Sequence, residues 1–217
     1  MQRIRVLSFD LEGTLVDDDF SRLVWEEGLP ALYAEEKGIT LESALKRVME
    51  EYSDIGPERV EWYNLRYWFR RFDLREDWRS LLERFRDSIS IYPEVRGVLD
   101  RLRRDHDMII VSNTSRDFLD LQIKELKQYF TLIFSTPTDF GALKSPGLFA
   151  QICWELGVEP LEVVHVGDSR KFDFTAPREA GITSFLLDRS GGESGEHIVR
   201  DLEEFELRLL ELRGLNL

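Results

Sequence analysis

Five short, nearly unbroken apolar runs recur along the chain: Ile4–Phe9, Met108–Val111, Leu132–Phe134, Val163–Val166 and Ser184–Leu187. They are rich in β-branched and aromatic residues, as expected of parallel strands covered on both faces. Between the later runs the apolar spacing turns helical. Val95, Val98, Leu99 and Leu102 share one face of a helix opened by Pro93-Glu94. Phe118, Leu121, Ile123, Leu126 and Phe130 mark a second, less regular helix. Phe149, Ile152, Cys153 and Leu156 mark a third, stopped by Gly157, and Leu202, Phe205, Leu209 and Leu212 mark a last. This alternation predicts an α/β fold built on a doubly wound parallel sheet.

Residues 17–91 interrupt the rhythm. They contain no strand pattern, only helical spacings: Leu41, Leu45, Val48, Met49 and Tyr52 after a Thr40 cap, then Trp62, Leu65, Phe69 and Phe72, then Trp78, Leu81, Phe85 and Ile89. Gly28-Leu29-Pro30 and Gly56-Pro57 are expected to punctuate these helices. The chain is therefore expected to have an α/β core, residues 1–16 and 92–217, carrying an all-helical insertion, residues 17–91.

A length of 217 residues, 42% of them hydrophobic, suits one domain with such an insertion. The net charge of −13 argues against general binding to nucleic acid or anionic membrane. No apolar run approaches the roughly 20 residues needed to span a bilayer. The single cysteine, Cys153, sits in a helical apolar stripe and reads as a core residue; a reducing, cytoplasmic setting is expected. The N-terminus runs directly into a strand pattern, so no signal peptide is expected. Nothing points to an obligate protein partner.

The chemistry-bearing residues gather where the strands end, and open α/β sheets collect ligands at that edge. Asp10-Leu11-Glu12-Gly13-Thr14 follows the first strand, Ser112-Asn113 the second, Lys144 the third after a loop, and Gly167-Asp168-Ser169 the fourth, with Asp173 beyond. Asp10, Asp168 and Asp173 are hard oxygen ligands of the kind Mg²⁺ prefers, and a carboxylate can also accept a phosphoryl group. Ser112 and nearby backbone N–H groups can hold phosphate oxygens, and Lys144 supplies an offsetting positive charge. Taken singly, each piece has a plainer explanation as a turn former, helix cap or solvated side chain. Their joint, ordered occurrence does not.

This ordered set resembles the haloacid dehalogenase-like (HAD) superfamily over the whole chain. The resemblance rests on Asp10-x-Glu12-x-Thr14, Ser112, Lys144 and Gly167-Asp168-Ser169-x-x-x-Asp173, trailed by Ala176, Ala180 and Gly181. It implies a Rossmann-like core with a helical cap at residues 17–91. It further implies Asp10 as nucleophile, Glu12 as acid and base, and Ser112, the Asn113 N–H and Lys144 around the phosphoryl group. Mg²⁺ would be held by Asp10, the Glu12 carbonyl and Asp168 with support from Asp173, and Thr14 would steady the turn or cap a helix. The sequence departs from the family pattern in a shortened loop after Lys144 and in Glu12, where Asp is commoner.

Glu12 bears on the reaction. A phosphatase needs an acid there to protonate the leaving oxygen and activate water; a 2-haloacid dehalogenase attacks carbon and needs neither that acid nor a metal. The expectation is a Mg²⁺-dependent phosphatase acting on a small phosphate monoester, with dehalogenase as the alternative and a non-catalytic binding role third. Arg66, Arg70, Arg71 and Arg75 read as solvated helix faces, Trp62 and Trp68 as core, His165 as a satisfied core histidine, and His106 and His197 as exposed.

Overall fold

The structure, a computed structural model, describes residues 4–212 and 214. Six parallel strands form one sheet in the order β3-β2-β1-β4-β5-β6. They are β1 (Val6–Phe9), β2 (Asp107–Ser112), β3 (Leu132–Ser135), β4 (Val163–Gly167), β5 (Thr183–Leu187) and β6 (Ile198–Val199). The five expected strands are all present. The sixth is two residues long, too short to leave a pattern in the sequence.

Side-chain alternation along each strand divides the core. Leu7, Phe9, Val164 and Val166 pack on one face with the helices Val95–Leu102 and Leu202–Leu212. Val6, Ile109, Val111 and Val163 pack on the other with Pro146–Leu156, where Cys153 is buried as expected. The chain winds outward in both directions from the β1–β4 pair, so the cleft opens beyond the C-terminal ends of these two central strands.

From Asp19 to Ser88 the described chain contains helices and no strand. Leu41–Ile55 is capped by Thr40, whose Oγ1 accepts from the Ser43 N–H at 3.2 Å. Phe20, Val24, Val48, Tyr52, Leu65 and the fully buried Trp68 form a separate apolar cluster. This layer is tied to the sheet-bearing part by Trp25 stacking on Phe118 (5.2 Å, 9°) and by Arg66 donating to both oxygens of Asp117 at 3.0 Å.

Several expectations need correction. Phe118 and Phe130 do not share one helix: Arg116–Gln122 ends early, and Phe118 turns into the helical layer rather than towards the sheet. Gly28 does not break its helix. It lies in a π-helical turn that runs on into Leu29–Lys37, and its missing side chain makes room for Phe85, whose ring would lie 2.5 Å from a Cβ. His106 is buried, with Nδ1 3.2 Å from the Ile4 carbonyl oxygen. Leu212, expected on the apolar face of the last helix, is 44% exposed. Among the described residues, no helix is long and apolar enough to cross a membrane.

Candidate active site

Asp10 leaves β1 with its N–H donating to the Val166 carbonyl of β4 (3.0 Å), which extends strand pairing one residue into the cleft. The chain then turns sharply: the N–H groups of Leu15 and Val16 both reach the Leu11 carbonyl, and the Gly13 N–H reaches Val16 O at 2.8 Å. Gly13 holds φ +72°, and a Cβ there would lie 2.4 Å from Asp168 Oδ2. Gly167 is equally constrained, since its Cβ would meet Asp173 Cγ at 2.5 Å and Asp10 Cβ at 2.9 Å. Bare backbone at these two points lets three carboxylates converge.

Asp10, Asp168 and Asp173 offer oxygens within 4.8 Å of one another. Lys144, nearly fully buried, donates from Nζ to Asp10 Oδ1 at 2.8 Å and to Asp173 Oδ1. Burial opposes its charge, yet the two carboxylates raise its pKa overall, so it stays an ammonium. Asp173 is also fully engaged: Oδ1 accepts from His165 Nε2 (3.0 Å) and Oδ2 from the Ser169 N–H (2.9 Å). Burial alone would lift its pKa, but Lys144 and His165 hold it down at about 2. His165 Nδ1 lies 2.8 Å from Ser8 Oγ, completing a buried chain from β1 to the lysine. His165 is a satisfied core histidine, as read from the sequence, and it is also one bond from the site.

Burial raises the Asp10 carboxyl against the pull of Lys144. At Asp168 the enclosure of the cleft and the charges of Asp10 and Asp173 push the carboxyl up to about 8. A cation in the cleft would relieve the part of that rise that comes from the neighbouring carboxylates.

Ser112 ends β2 with its Oγ 3.2 Å from Thr114 Oγ1 and 3.3 Å from the Thr114 N–H. The Asn113 side-chain oxygen accepts from Thr136 Oγ1 and from the Lys144 N–H, each at 2.8 Å, and so anchors the lysine loop. The shortened loop nonetheless delivers Lys144, because Ser145 caps the helix that starts at Pro146. The Thr14 hydroxyl is buried with no partner among the described residues and caps no helix. Glu12 Oε1 accepts from Ser21 Oγ and from Gln122 Nε2 (2.5 Å). Burial raises its pKa, with those two hydrogen bonds working against the rise.

All of these groups except Thr14 line or directly support a cleft of about 670 Å³, which Pro57 and Tyr63 of the helical layer also border. Three contributors were not read from the sequence. Arg189 donates to the carbonyls of Gly13 (3.2 Å) and Thr14 (2.7 Å), pairs with Glu94 at 2.8 Å and lies 3.5 Å from the Tyr92 ring centre. It follows β5 by two residues, so the strand-end rule applied there would have found it. Ser21 and Gln122 sit in helical patterns with no local signal.

Ala in place of Gly13 is expected to destabilise the protein by about 1–3 kcal/mol through the left-handed backbone and the Asp168 contact. Thermal denaturation reads this directly, and an unchanged melting temperature would show that the turn can relax.

A doubly wound parallel sheet with converging carboxylates and a buried lysine at its switch point is a Rossmann-like hydrolase arrangement. The haloacid dehalogenase-like hydrolase model matches residues 4–181, and the chain belongs to that family. Over 90 residues it is 33% identical to haloacid dehalogenase-like hydrolase domain-containing protein 3 of Danio rerio, a match spanning 39% of this chain and only 37% of that protein. It is 27% identical over 204 residues to a phosphoglycolate phosphatase of Chromobacterium violaceum, covering 86% of each. The crystal structure of a HAD phosphatase from Thermococcus onnurineus superimposes with a TM-score of 0.82 at 27% identity, over 94% of this chain and 97% of that one. A 2-haloacid dehalogenase from Pseudomonas syringae shares the fold, with a TM-score of 0.70 at 21% identity over 96% and 99%.

Proposed function

We propose that this hydrolase is a Mg²⁺-dependent phosphatase of small phosphate monoesters that works through a phosphorylated Asp10. The observation that carries this choice over dehalogenation is Glu12, a half-buried carboxyl on the cleft wall two residues past Asp10, its pKa raised. Ester cleavage needs such a proton donor and acceptor; displacement of halide from carbon does not.

The donor set fits a hard divalent cation: closely spaced carboxylate oxygens, with Asp168 lifted to about 8 by its enclosure and by the charges of Asp10 and Asp173. Asp10, Asp168 and the Glu12 carbonyl would hold it, with Asp173 steadying the set through Lys144 and the Ser169 N–H. When bound, Mg²⁺ offsets the charge of the phosphoryl oxygens beside these carboxylates.

In the first step an Asp10 oxygen bonds to phosphorus as the ester P–O bond breaks, and Glu12 gives its proton to the departing alkoxide. In the second, Glu12 takes a proton from water while the water oxygen bonds to phosphorus and Asp10 leaves, which restores both carboxyl groups. Lys144, Ser112 and the Asn113 N–H hold the phosphoryl oxygens in both steps. Arg189 keeps the Asp10–Thr14 turn in register through its carbonyls. Residues 17–91 act as a cap that shields the aspartyl phosphate from stray water.

Metal and protons compete for the same carboxylate. Asp168 is raised above its unfolded value of 3.8, so in the metal-free protein its contribution to stability is present below about 4 and lost as pH rises through about 8. Mg²⁺ is therefore expected to raise the melting temperature by an increment that grows between pH 5 and 8. The same titration should show p-nitrophenyl phosphate hydrolysis appearing with Mg²⁺ and stopping on chelation. Release of halide from 2-chloropropionate without metal, and no ester hydrolysis, would replace this reading with the dehalogenase one.

A further inference from the structure

Among the described residues, the cleft and the cavity beside it are lined by acids and aromatic rings, and each cation on their walls is already paired. Among the residues lining the cleft, Lys144 is held by Asp10 and Asp173, and Arg189 by Glu94 and two carbonyls. A neighbouring cavity of about 380 Å³ is lined by one cation, Arg22, which is paired with Asp19 and Glu27. Asp18 lies on the wall of both spaces, and Glu26 on that of the second.

This second cavity adjoins the proton donor of the proposed reaction and shares Asp18 with the cleft. Ser21, on its wall, donates to Glu12 Oε1, the group that hands its proton to the leaving oxygen. The rest of its wall is formed by Trp25, Tyr52 and Trp62 together with Met49 and Ser53. Trp25 and Tyr52 meet at 84° with centroids 6.1 Å apart, and Tyr52 and Trp62 at 58° and 5.7 Å. Rings set at such angles make a corner, not the slot between parallel faces that a flat heterocycle needs. The ring surface that Trp25, Tyr52 and Trp62 turn to this cavity, with carboxylates beside it, attracts a compact organic cation, and the one cation on the wall is already paired twice.

We propose that the substrate is a phosphate monoester of an amino or quaternary-ammonium alcohol, its cationic head seated among Trp25, Tyr52 and Trp62 with Asp18 and Glu26 beside it. This rests on the phosphatase reading of the Asp10 site. An alkylated ammonium is weakly hydrated, so entering the aromatic corner costs it little desolvation, whereas a carboxylate or second phosphate entering there meets Asp18, Glu26 and an Arg22 that Asp19 and Glu27 already hold.

The test compares kcat/KM for phosphocholine with that for 3,3-dimethylbutyl phosphate, its uncharged isostere, using the full chain with Mg²⁺. Phosphoglycolate, GMP and p-nitrophenyl phosphate complete the panel. Phosphocholine is expected to exceed its isostere by about tenfold or more. That ratio should fall towards one in Glu26→Gln and in Trp62→Leu; taking the ratio cancels any general loss of activity in a variant. Turnover of p-nitrophenyl phosphate with equal rates for the charged and uncharged esters would overturn this inference alone. So would a preference for phosphoglycolate or for GMP. No turnover of any ester would overturn the phosphatase reading and this inference with it.

Discussion

Asp10→Asn is expected to lose turnover of every phosphate ester, on the order of 10⁴-fold or more, while remaining folded. The amide is nearly isosteric with the carboxylate and its oxygen can still accept from Lys144 Nζ, which in any case keeps its bond to Asp173. The Asp10 N–H bond to Val166 O is a backbone bond and survives the change. What disappears is the proposed nucleophile, together with one of three mutually repelling carboxylates. Thermal stability without metal should therefore hold or rise slightly, and the Mg²⁺-dependent gain in melting temperature should shrink. Activity within tenfold of wild type, in protein verified by mass to retain Asn at position 10, would remove Asp10 from the role proposed for it.

The second large effect is expected at Glu12, and it should depend on the leaving group. In Glu12→Gln the side-chain oxygen can still accept from Ser21 Oγ and Gln122 Nε2, so the turn and its packing should persist. The proton transfer is lost. Nitrophenolate leaves without help, so Asp10 should still be phosphorylated quickly by p-nitrophenyl phosphate. Hydrolysis of the aspartyl phosphate needs a base for water and should slow by roughly 10²–10⁴-fold. A burst of nitrophenol near one equivalent per enzyme follows, with phosphoenzyme trapped on acid quench. Alkyl phosphates need protonation in the first step and should give neither burst nor trapped intermediate. Unchanged steady-state rates for both ester classes would mean that another group moves the protons.

The variants differ in what they ask of the fold. Asp10 and Glu12 can be replaced by isosteric amides because their contacts are made by side-chain oxygens that an amide reproduces. Gly13 has no such substitute, since its φ of +72° and the approach of Asp168 Oδ2 exclude any side chain. A turn that tolerates a new end group but not a new Cβ is built for close approach of backbone to carboxylate.

Much of the fold could be read because its signals are local. The strands β1 to β5 announce themselves as continuous apolar runs, and β6 does not, because two residues carry no period. Asp10, Ser112 and Asp168 each sit at or one residue past a strand end, where parallel topology brings them to one edge whatever the intervening loops do. Lys144 could be anticipated on the same grounds, as the lysine following β3.

Other features were settled only when distant segments met. Phe118 looked like a core-facing position of a long helix, but the helix ends at Gln122 and Trp25 offers it a stacking face. Gln122 reaches Glu12 across 110 residues and Arg189 reaches Gly13 across 176, and no local periodicity encodes contacts of that range. The corner made by Trp25, Tyr52 and Trp62 is of the same kind: three aromatics that are individually ordinary become a binding surface through the angles at which separate helical turns hold them. The sequence by itself determined the sheet, its cleft and the carboxylates and lysine placed there, because strand pattern and strand ends are properties of neighbouring residues. Tertiary structure alone decided which donors hold Glu12, what clamps the turn after Asp10 and what lines the cavity beside the cleft, because those depend on side chains from segments that only packing brings together.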